Sequence, residues 1–180
     1  MDSDERNTPE LFSWQREEIA QAAWFSSAAA QIPALIHDQS LLANENGLAI
    51  WIENLRGYSD GLTFDIELRI ASSVRENLHI DVMPDLSAHF SEHHEVIIWA
   101  EVDGQRYTNT RSDESSWHLV LIGANATPGI AKATWWIPEV PRESFHVSAS
   151  WPEGSLAASV GLDASGWASA IDSKAVTISN

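Results

Sequence analysis

Positions 62–70 alternate without a break: Leu62, Phe64, Ile66, Leu68 and Ile70 are apolar, and Thr63, Asp65, Glu67 and Arg69 are polar. A period of two sends one set of side chains to a core and the other to a polar face, the pattern of a half-buried β-strand. Residues 48–55 are apolar on both faces, as a central or covered strand would be. Between the two, Gly57-Tyr-Ser-Asp-Gly61 reads as a hairpin connection whose glycines supply the φ > 0 positions. From about residue 40 onward the period is two. It recurs at 78–82, at 96–102 with Asp103-Gly104 leading into 105–110, and at 117–122, 132–137 and 144–151. After Pro152-Glu-Gly154 it resumes at 156–162, and 175–178 closes the series. Eight or nine short strands at this spacing predict an all-β fold, a two-sheet antiparallel β-sandwich.

Helical signals stand at the two ends. Thr8 as N-cap, Pro9 at the first helical position and Glu10, Glu17 and Glu18 beyond it predict a helix over 9–30, ending before Pro33. Leu11, Phe12, Trp14, Ile19, Ala22, Ala23 and Phe25 share one broad arc, the face expected to pack. Trp24 lies on the other side, set either against the domain or toward a partner. Asp163 is placed to cap a short C-terminal helix carrying Trp167 and Ile171. The chain thus divides into a helical arm, residues 1–33, packed on a sandwich domain, residues 34–180.

Charge narrows the partners. Ten basic against twenty-six acidic residues among 180 give a formal charge of −16. Nucleic-acid binding needs clustered Lys and Arg, and an anionic membrane surface would repel this chain, so neither is expected as a partner. With no cysteine, disulfides, thiolate zinc sites and cysteine nucleophiles are excluded. The acidic start has no secretory character and no apolar run is long enough to span a bilayer, so a cytoplasmic location is expected. Nine tryptophans against two tyrosines demand partners for many indole N–H groups.

Several stretches together resemble an uncharacterised actinobacterial protein family: residues 48–55, 58–69 and 102–109, Trp135-Trp-Ile-Pro138 with Pro141, Trp151-Pro152, and Leu162-Asp-Ala164. The likeness spans about residues 40–178 and implies one intact bacterial domain. It implies no activity and no site residues. Residues 123–129 are shorter than the glycine-rich insertion usual in that family.

Three motifs carry possible chemistry. Gly57-Tyr-Ser59-Asp-Gly61 matches G-x-S-x-G, but a strand follows where a nucleophile elbow needs a helix. His89-Phe-Ser-Glu92-His93 matches H-x-x-E-H. On a helix His89 and His93 could share a zinc with Glu92 as base, although only a short turn fits between Pro84 and the strand near Val96. His79 and Asp81 share a strand face. His146 joins Ser144, Ser148 and Ser150 in a polar strip without an acidic neighbour in sequence. By strand parity Trp99 and Glu101 turn away from the core, and Trp135 and Trp136 point to opposite faces. Trp24, Trp99 and Trp136 are therefore the candidate binding residues, unless the N-terminal helix covers that face, which is the preferred account.

No catalytic residue is assigned. The leading expectation is a non-enzymatic protein-interaction or regulatory module presenting an aromatic sheet face to a protein partner or to a second copy. The alternatives are a metal-binding enzyme or sensor centred on His89, Glu92 and His93, with zinc as the only cofactor expected, and a carbohydrate-binding module.

Overall fold

The computed structural model describes residues 13–77, 86, 96–110 and 117–178. Helix α1 (Ser13–Ala30) leads through β1 (Gln31–Ile32) into a meander of β2 (Ala34–Glu45), β3 (Leu48–Tyr58) and β4 (Gly61–Ile70). Helix α2 (Ser72–Asn77) follows, then β5 (Ile97–Val102), β6 (Gln105–Thr108), β7 (Trp117–His118), β8 (Val120–Thr127) and β9 (Ile130–Ile137). The chain closes with β10 (Ser144–Trp151), β11 (Leu156–Asp163), α3 (Trp167–Lys174) and β12 (Val176–Thr177).

The strands form a β-sandwich. One sheet runs β2-β3-β4-β9-β8, the other β11-β10-β5-β6-β7, and β1 pairs with β12 in a small ribbon. Every pairing is antiparallel except the parallel contact of β6 with β7. The alternation of β4 behaves as expected: Leu62, Phe64, Ile66 and Leu68 are buried between the sheets. They meet Ile98, Ala100, Val102, Phe145, Val147 and Ala149 in one core. Phe64 and Phe145 join the sheets edge to face, ring centroids 5.6 Å apart.

Four local expectations need correction. Among the described side chains of α1, the arc that packs shares only Ala23 with the expected one. Ala20, Ala23, Trp24 and Ser27 face the sheet, whereas Ile19 and Phe25 are 53% and 64% exposed. Small Ala20 and Ser27 let the helix approach closely, and the Trp24 ring fills the space beside them. The glycines at 57 and 61 do not supply positive φ. Instead, a Cβ on Gly57 would lie 2.3 Å from Ile171 Cδ1, and one on Gly61 would lie 2.3 Å from the Trp136 ring. Strand β2 begins before residue 40, and two register shifts against β3 scramble its alternation. Finally, Gly166, not Asp163, precedes α3, and Asp163 instead accepts the Ser165 backbone N–H. The expected strand at 78–82 lies outside the described residues.

Candidate functional site: a groove on the outer sheet face

Each sheet has an outer face, and the two are finished differently. On the β2-β3-β4-β9-β8 sheet, α1 lays Trp24 over Tyr58 and Trp136, with Val120 and Ile122 alongside. Trp136 is fully buried there. It presents no ring to solvent, so it drops out as a contact residue, and Trp24 is spent on the same cluster. Next to the helix a charged ladder closes the face. Lys132 Nζ donates to Glu53 at 2.5 Å and to Asp65 at 2.9 Å. Asn54 and Thr134 also donate to Asp65, and the Arg69 guanidinium lies 5.1 Å over the Trp51 ring while bonding Glu67.

Helix α1 reaches the other sheet at β7, but among the described residues its outer face over β5, β10 and β11 carries no helix. Trp99, Glu101, Arg106, His146, Ser148 and Ser159 line a cavity of about 380 Å³ there, within the size range of small-ligand sites. Register assembles it in two rows. Thr108, Trp99, Ser148 and Ser159 stand side by side across β6, β5, β10 and β11. In the adjacent row Arg106 faces Glu101, Glu101 faces His146, and His146 faces Gly161.

Two contacts fix the walls. The Arg106 guanidinium sits 5.0 Å from the centroid of the half-buried Trp99 ring, a cation–π pair that stiffens both side chains. Opposite, the His146 imidazole rests on Gly161, where a Cβ would fall 2.7 Å from its Cε1. Only glycine leaves room for the ring in that place. Between these walls the floor is Ser148 and Ser159. Among the described residues, the side chains of Glu101, His146, Ser148 and Ser159 hold no hydrogen bond to the protein, so their donors and acceptors are available to a ligand.

A larger cleft, about 510 Å³, opens at one end of the sandwich and is lined by Asp60, Asp103, Glu139, Arg142 and Asp172 among others. Most of its carboxylates are occupied in holding loops. Asp60 accepts from Ser27, Glu139 accepts from the Tyr107 hydroxyl at 2.6 Å, and Asp103 accepts three backbone N–H groups. Burial and this Glu139 bond both push the Tyr107 hydroxyl well above the usual tyrosine range.

Of the candidate binding residues Trp24, Trp99 and Trp136, Trp99 stands at an open face, beside His146 and Ser148 of the polar strip. His89, Glu92 and His93 lie outside the described residues, as do His79 and Asp81. Among the described residues no cluster of His, Asp and Glu could hold a metal ion, and no helix is long and apolar enough to cross a membrane. Ser59 sits in the β3–β4 turn, its backbone N–H bonded to the Gln31 side chain at 3.0 Å and its hydroxyl accepting the Gln31 amide at 2.5 Å. The residues missed were Arg106 and Ser159, together with Glu101 as the neighbour of His146. The hairpin turn at Asp103-Gly104 already implies that Glu101 faces Arg106. That β10 lies next to β5 is a long-range pairing with no local signal. No family model, curated protein or solved structure matches the chain.

Proposed function

We propose that this protein is a non-enzymatic binding module whose recognition face is the groove of Trp99, Glu101, Arg106, His146, Ser148 and Ser159. The observation that carries this reading is convergence. Four strands bring one aromatic ring, one fixed cation, one carboxylate, an imidazole and two hydroxyls to a single cavity, and most of their polar atoms are uncommitted. A serine hydrolase would need one of these hydroxyls bonded to His146 and His146 bonded to an acid. Neither bond is present among the described residues.

A fragment library screened by ¹⁵N-resolved NMR tests the reading without presuming a ligand. Binding fragments should shift the amides of strands β5, β10 and β11 around residues 99, 146 and 159. Fragments that gather elsewhere on the chain, or turnover of ester substrates lost in His146→Ala, would overturn it.

A further inference from the structure

Resting on that binding reading, we infer that the groove takes an uncharged, hydroxyl-rich ligand, a neutral oligosaccharide laid across β5, β10 and β11. Charge balance is the first argument. Arg106 and Glu101 face each other across β5 and β6, so the fixed charges in the cavity cancel, and a chain of formal charge −16 offers no attraction to a phosphate or polyanion. A cationic ligand would meet the Arg106 guanidinium over Trp99.

The second argument is the mixture of surfaces. A sugar ring has an apolar C–H face and an edge of hydroxyls, each both donor and acceptor. The groove supplies apolar indole surface from Trp99, one face of which Arg106 covers, with Glu101 as acceptor, Arg106 as a forked donor, and His146, Ser148 and Ser159 as groups able to do either. A docking protein would instead favour a desolvated apolar pocket for an anchor side chain, and the floor here is two serines. A peptide added to the β11 edge would use backbone pairing and leave these side chains idle.

The third argument is extent. Beyond Ser148 and Ser159 the next outward pair is Ser150 and Ala157, again small, so on β10 and β11 no bulky side chain stands where a linked sugar unit would extend.

The test is a calorimetric titration of the full chain with the hexasaccharides of cellulose, xylan, mannan, amylose and chitin. Each is taken to about 10 mM, which captures any dissociation constant of about 1 mM or tighter. Saturable binding to at least one is expected, weakened about tenfold or more by Trp99→Ala and abolished by Ser159→Trp. Position 159 is exposed on an edge strand, so the second variant fills the groove with the core untouched, and an unchanged melting temperature confirms its fold. Absence of binding to all five, or binding indifferent to Ser159→Trp, overturns the inference. If fragments occupy the groove and sugars do not, the ligand class fails and the binding module stands; if neither binds, both fail.

Discussion

Trp24 lies against Trp136 with ring centroids 5.4 Å apart and planes inclined at 54°. Both rings also meet Tyr58 near edge-on, at 5.7 and 5.5 Å. Among the described side chains the three aromatics are the main apolar fastening of α1 to the sandwich, since the other inward positions described, Ala20, Ala23 and Ser27, are small. Polar ties assist at the C-terminal end, where Ser27 bonds Asp60 and Gln31 bonds Ser59.

Trp24→Ala should therefore detach the helix without disturbing the core between the sheets. Trp24 is half-buried, so the expected loss is about 2–3 kcal/mol, below the range for a fully buried tryptophan. Urea unfolding gives the magnitude. Hydrogen exchange should show α1 opening in the variant while β4 and β10 keep their protection.

The two hairpin glycines should differ in their tolerance of alanine. At Gly57 the added methyl meets the end of the Ile171 side chain, which can turn aside. At Gly61 it meets the Trp136 ring and also the Ile137 carbonyl oxygen at 2.4 Å, which is backbone and cannot. Gly57→Ala should cost about 1–2 kcal/mol and Gly61→Ala about 3 kcal/mol or more. Equal thermal shifts in the two variants would contradict this account.

These glycines also mark how far the sequence could be read. Their place in a hairpin was legible, because alternating runs flank them. Their reason was not, because Ile171 and Trp136 are distant in sequence. The same division runs through the molecule. The period of two in β4 and β10 and the turn at Asp103-Gly104 are local, and they emerged from the chain directly. The packing arc of α1 was misplaced at Ile19 and Phe25 because counting apolar residues favoured them, whereas the sheet selects small residues beside one large ring. The groove was half legible. Trp99 and His146 were each seen to face outward, but only the pairing of β10 with β5 brings His146 opposite Glu101.

Asp103 occupies a left-handed conformation, φ 48°, and its carboxylate accepts the backbone N–H groups of Arg142, Glu143 and Ser144 at 2.8–2.9 Å. Slight burial raises its pKa, but these three bonds outweigh it and hold the carboxyl below the usual range. Asp103→Ala should expose those three amides to rapid hydrogen exchange and loosen the β9–β10 connection. Asp103→Asn keeps one acceptor oxygen and the turn preference, so it should retain part of the protection.

The charged ladder should set the pH limits of stability. Glu53 is held below the usual carboxylate range by its hydrogen bond from Lys132, against a smaller effect of burial. Burial pushes Asp65 up, but hydrogen bonds from Thr134, Lys132 and Asn54 together bring it lower than normal. For Lys132, burial favours the neutral amine, but the bonds to Glu53 and Asp65 prevail and raise its pKa. Both carboxylates are depressed, so their contribution is present above about pH 4 and fades as pH falls through the folded-state values. Lys132 is raised, so its contribution is complete below about pH 10 and is lost as pH rises through its folded-state value. Lys132→Met leaves Glu53 and Asp65 facing each other without a cation and should cost about 2–3 kcal/mol at neutral pH. With the carboxyls no longer stabilised as anions, that deficit should shrink steadily toward pH 3. Urea midpoints of both proteins across this range measure it directly, and a deficit independent of pH would show that Lys132 acts through packing alone.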